Sequence, residues 1–146
     1  MIRIVLAVAA VAFGVTAVVA QSDPIAARKA LMKANGDQAK IAGAMAKGEA
    51  PFDLAKVQVV FATFADSAAK MPALFPDNSK TGGETAALPA IWENKADFDA
   101  KMAAFGKNAI AAKTEIKDAD ALKAKWGAFA KENCGGCHEK YRAKKS

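Results

Sequence analysis

Cys134-Gly135-Gly136-Cys137-His138 is the stretch of this sequence in which reactive side chains stand at a spacing with a chemical meaning. Two thiols three positions apart, followed at once by an imidazole, suit the attachment of c-type haem. Each thiol adds to one porphyrin vinyl group, and the next residue offers a ring nitrogen to the iron. A thioredoxin-like redox pair also uses Cys-x-x-Cys, but it needs a strand before the motif and a helix after it. Here only nine residues follow Cys137. A structural zinc site needs four ligands, and the chain has two cysteines and one histidine. A plain disulfide between Cys134 and Cys137, with His138 exposed beside it, is the remaining alternative. The solitary histidine falls directly behind the second cysteine, which favours one covalently bound haem c. With no second histidine, nucleophile elbow or phosphate loop, the sequence carries no hydrolytic machinery and reads as a non-enzyme.

These residues must be held by helices. Of residues 21 to 146, 31 are Ala, three are Val and four are Thr, a balance that favours helix over strand. Asp23 before Pro24 reads as a cap with Pro at the first helical position, opening a helix that runs to about Lys47 before Gly48. Asp53 opens a second, to about Lys70, with Leu54, Val57, Phe61, Phe64, Ala68 and Met71 at three-four spacing and Pro72 at its end. Residues 72 to 87 form a long polar connection in which helix is unfavourable. A third helix starts near Leu88, with Pro89 in its first turn and Phe98, Met102, Phe105, Ala109 and Ala112 on one side. Asp118 or Asp120 caps the fourth, whose stripe runs Leu122, Trp126, Phe129, Cys134, Cys137, His138 and Tyr141. Short first and third connections imply an all-α, antiparallel up-down-up-down four-helix bundle over residues 21 to 146, with the haem motif on the last helix.

A haem motif near the C-terminus, rather than the N-terminus, resembles the class II c-type cytochromes, the cytochrome c prime family. The likeness rests on Cys134-Gly-Gly-Cys-His138 with Tyr141-Arg142 behind it, Arg28-Lys-Ala-Leu-Met32, Leu74-Phe75-Pro76 and Ile91-Trp92. It implies one haem c on the last helix of a four-helix bundle, and in many members a homodimer through the first two helices. In five-coordinate members the residue four after the first-helix Arg is a non-ligating side chain, and the open site takes nitric oxide or carbon monoxide. In the low-spin relatives of the cytochrome c-556 type it is Met, and here it is Met32. A His138/Met32 pair on the iron would raise the reduction potential.

The level of each methionine along the bundle can be reckoned. His138 stands near the end of the last helix, level with the second turn or so of an antiparallel first helix, and Met32 is about eight residues into that helix. Met45 would lie roughly 20 Å further along at 1.5 Å per residue, and Met102 would sit at the far end of the third helix. Met71 is at the right level, but its spacing with Phe64 and Ala68 reads as core. Met is also a common filler of helical cores, which is the plain alternative for Met32.

Arg28, one turn before Met32, could pair with a haem propionate, and Arg142, four after His138, could tune the proximal imidazole. Each could equally be a solvated helix charge. Lys131, Lys140, Lys144 and Lys145 would form a basic rim able to steer an acidic redox partner, or simply a solubilising tail.

Of the first 20 residues 17 are apolar, against 60 in the remaining 126. Arg3, the run from Ile4 to Val15 and the small residues before Gln21 match a cleaved secretory signal over 1 to 20; an uncleaved anchor is the alternative. The rest carries 20 basic and 15 acidic side chains, mildly basic and interspersed, with neither a nucleic-acid reading motif nor a second membrane segment. The expectations are therefore a periplasmic one-electron carrier serving redox partner proteins or, if the iron keeps an open position, a gas-binding module.

Overall fold

The computed structural model describes residues 23–144; the apolar leader with its cleavage point before Gln21, and Lys145 of the basic rim, lie outside them. Helix α1 spans Pro24–Lys47. It begins where the Asp23 carboxylate accepts the Ile25 N–H at 2.9 Å, and it ends at Gly48, whose φ of 78° only glycine adopts without strain. Helix α2, Leu54–Lys70, is capped by Asp53, which accepts the Lys56 N–H at 3.1 Å. Pro72 then tightens the chain into a 3₁₀ turn, Met71–Leu74, and a second such turn, Asp77–Ser79, lies within the long connection.

The expected third helix is broken in two. A single turn, α3 (Ala90–Glu93), stops at Asn94, and α4 runs over Lys95–Glu115. Asn94 serves both pieces. Its backbone N–H and side-chain amide both reach the Ala90 carbonyl, at 3.0 and 3.2 Å, and its own carbonyl accepts the first bond of α4, from Phe98, at 3.0 Å. The long helix therefore starts seven residues later than Leu88, and everything on it shifts toward the His138 end. Of the two candidate caps for the last helix, Asp118 does the work, accepting the Ala121 N–H at 2.8 Å at the start of α5, Ala119–Ala130. A widened, π-helical turn over Lys131–Gly135 follows, then α6, Gly136–Tyr141.

These segments make a four-helix bundle in which α2 packs along α4 while α1 packs against α2 and α5. Its core has two parts. In the first, Phe61, Phe64, Phe105 and Phe129 close on one another, Phe61 meeting Phe129 edge-on at 5.1 Å between centroids. Gly106 lets α4 approach α2 closely, since a Cβ there would stand 3.2 Å from that of Ala68. Leu54, counted on the apolar stripe of α2, faces outward from its first turn instead. At the other end Met71, Phe75, Ile91, Phe98, Met102, Cys137 and Tyr141 form a second cluster. Among the described residues no helix is long and apolar enough to cross a membrane.

Candidate haem site

The widened turn presents the cysteines. Asn133 donates from its amide to the Phe129 carbonyl at 2.9 Å, and its Oδ1 accepts from Asn108 Nδ2 at 2.8 Å, so α4 holds the turn just before Cys134. Neither asparagine stood out in the sequence. The visible sign was the five-residue step from Phe129 to Cys134 in the stripe, one longer than an α-helix allows. Cys137 is buried, while Cys134 and His138 are half-buried, and both thiols are free.

Two adjoining clefts, partly open to solvent, lie beside them. Both are lined by Met32, Met102, Cys137, His138 and Arg142, so they are two lobes of one slot. Phe75, Ile91 and Phe98 wall one lobe, and Phe64, Phe105 and Ala39 wall the other. Burial raises the pKa of both thiols, keeping them protonated in the unattached chain. Burial first, and the charge of Arg142 second, lower that of His138, which keeps its imidazole neutral and able to bind a metal.

Met45 belongs to the other core, as its register implied. Met71 reaches the slot from the end of α2, also as reckoned. Met102 is a correction. Because α4 begins at Lys95 rather than Leu88, Met102 stands two turns into it, beside Cys137, and lines both lobes. Three methionines thus border the slot. Met71 and Met102 are packed away at 1% and 3% exposure, whereas Met32 is only half-buried.

Arg28 is no solvated charge. It is 4% exposed and spends both terminal nitrogens on the long connection: Nη1 on Leu74 O (3.0 Å) and Ser79 Oγ (2.9 Å), Nη2 on Ser79 O (2.8 Å) and Thr85 Oγ1 (2.7 Å). Its guanidinium also lies over Phe75, 4.6 Å from the ring centre. A propionate would find those four N–H bonds already made. Arg142 is exposed and borders both lobes; its backbone closes α6 on the His138 carbonyl and pairs with Ala87. Leu88 N–H to Tyr141 O (3.0 Å) and Ala143 N–H to Ala86 O (2.8 Å) stitch the same tail to the connection. Tyr141 donates its hydroxyl to Asp97, which also takes Lys140 at 2.9 Å, so one member of the expected basic rim is neutralised.

The donor set tests the fit. A largely apolar slot lined by two thiols, an imidazole and thioethers suits a ring that brings its own four nitrogen ligands. Among the described residues no cluster of His, Cys, Asp or Glu could hold a bare metal ion. Comparison with known proteins agrees. A family model described as cytochrome c' matches residues 23–142. The chain is 54% identical over 128 residues to a cytochrome c' of Rhodopseudomonas palustris, covering 88% of this chain and 87% of that one. It is 39% identical over 148 residues to a cytochrome c-556 of the same organism, covering 99% of each. The solved structure of cytochrome c' from Rhodopseudomonas palustris superposes with a TM-score of 0.82 at 53% identity, covering 86% of this chain and all of that one. With its bundle, its slot and its covalent haem c accounted for together, the chain belongs to the cytochrome c' family.

Proposed function

We propose that this protein is a periplasmic one-electron carrier whose haem is bound through Cys134 and Cys137 and ligated by His138 and Met32. The observation that carries this reading is that half-buried Met32 lines both lobes of the slot together with His138, while the two other methionines are packed away. Bound haem c supplies a one-electron couple. His138 gives a neutral imidazole, Met32 gives a soft sulfur, and the aromatic walls keep water from the ring. Arg28 fixes the connection over one edge of the slot, and Arg142 places positive charge near the proximal imidazole. Residues 1 to 20 are read as the export signal that delivers the chain, as residues 21 to 146, to its compartment. Exposed lysines around the motif, Lys131 and Lys144 among them, would meet an acidic partner.

The higher identity to a cytochrome c' than to a cytochrome c-556 favours a second reading, a five-coordinate haem that captures nitric oxide or carbon monoxide. Optical spectra of the two oxidation states separate them. Met ligation predicts a low-spin ferric protein with a weak band near the red edge of the visible, and poor binding of carbon monoxide when reduced. A high-spin spectrum and ready gas binding would replace the carrier by the second reading.

A further inference from the structure

We propose that the ammonium of Lys29 and the hydroxyl of Thr85 bind a propionate of the haem where the slot meets the long connection. The proposal rests on the covalent haem c and needs no particular sixth ligand. Haem carries its two vinyl groups on one edge and its two propionates on the opposite one. The thiols that take the vinyls therefore also decide on which side the carboxylates lie. Cys134 lines only the lobe walled by Phe64 and Phe105. The carboxylates belong to the other lobe, which is bordered by the start of α1 and the end of the connection, Lys29 and Thr85 included. A carboxylate partly withdrawn from water needs donors, and most of those bordering this lobe are taken. Arg28 spends its four terminal N–H groups on Leu74, Ser79 and Thr85. Tyr141 donates its hydroxyl to Asp97, and His138 is assigned to the iron. Lys29 has donors to spare: its exposed ammonium makes one hydrogen bond, to the Gly83 carbonyl at 3.1 Å, and stands 3.7 Å from the Glu84 carboxylate. Thr85 Oγ1 accepts from Arg28 at 2.7 Å and from the Ala87 N–H at 3.2 Å, which uses both its lone pairs. Its own proton has no acceptor among the described residues. Arg142 borders both lobes, that of Cys134 included, and so does not mark the carboxylate edge.

Holoprotein whose haem is enriched in carbon-13 at the propionate carboxyls tests this. NMR of the reduced protein under carbon monoxide, where the haem is diamagnetic whether or not Met32 ligates it, follows the titration of each carboxyl. Lys29→Gln should raise the pKa of one propionate by about half a unit to one unit, roughly a three- to tenfold change in its acid constant, because the ammonium favours the ionised form. Thr85→Val should raise the same pKa, whereas Thr85→Ser, which keeps the hydroxyl, should leave it at the native value. A merely structural Thr85 would alter unfolding and not this titration. Lys40→Gln removes the same charge further along α1 and should move neither carboxyl. The other charged groups at this lobe, Arg28 and Arg142 with Glu84 beside Lys29, stay in place in all four variants. Lys29 is exposed, so Lys29→Gln keeps the test decisive even if Thr85→Val loosens the connection. Carboxyls indifferent to Lys29→Gln, or equally responsive to Lys40→Gln, would overturn the proposal. So would a shift produced by Arg142→Gln and not by Lys29→Gln.

Discussion

At the level of single residues, the candidate site stood out where it lay in a contiguous run. Cys134, Cys137 and His138 have the spacing that two thioether bonds and one iron ligand on a ring would require, and the structure places all three at one slot. Arg28 could not be read the same way, since its acceptors lie 46 to 57 residues away on a connection with no regular pattern. Its burial makes a strong prediction. Arg28→Leu removes the donor to Leu74 O, Ser79 O, Ser79 Oγ and Thr85 Oγ1 and should cost about 3 kcal/mol or more in denaturant unfolding of the holoprotein. Arg28→Lys should recover only part, because an ammonium cannot reproduce the planar fork that serves both Ser79 and Thr85. Equal stability of all three proteins would mean that the connection is held by other contacts.

Helix boundaries were legible where a cap was local: Asp23 and Asp53 start the helices they were expected to start, and of the two caps offered for the last helix Asp118 is the one used. Two elements escaped. The break at Asn94 depends on one residue capping in both directions, which resembles ordinary helix in a sequence scan, and missing it misplaced Met102 by about two turns. The widened turn before Cys134 depends on Asn133 and on Asn108 from another helix, a pairing no local pattern reveals. Asn133→Ala removes both bonds and should lower stability by about 1–2 kcal/mol. It should also reduce the yield of covalently attached haem, read as colour retained after acid-acetone extraction. In the core beyond the slot, Phe61 is fully buried against Phe64 and Phe129 and lines neither lobe. Phe61→Ala should cost about 3–5 kcal/mol in thermal or urea unfolding, yet leave the iron spectrum of the surviving folded protein unchanged.

Over the whole molecule, the haem end is closed by contacts between α4, α6 and the long connection, and one of them titrates. The Tyr141 hydroxyl first, and the Lys140 ammonium second, hold the Asp97 carboxyl below the usual carboxylate range. The folded state thus prefers the ionised form. Its stabilisation is complete above the pKa of the unfolded chain and is lost as pH falls through the lower folded value. Urea midpoints should therefore decline in acid less steeply for Asp97→Asn than for the native protein; parallel curves would show that Asp97 contributes nothing to that decline. Under the proposed function the bundle would hold a haem iron through His138 and Met32, and Met32→Leu tests that proposal most directly. Leu keeps similar volume, so the fold should survive. The account predicts a low-spin native ferric protein that turns high-spin, loses potential and gains carbon monoxide affinity with Met32→Leu, while Met71→Leu and Met102→Leu leave the spin state unchanged. A native spectrum already high-spin, or one that Met32→Leu does not alter, would contradict it.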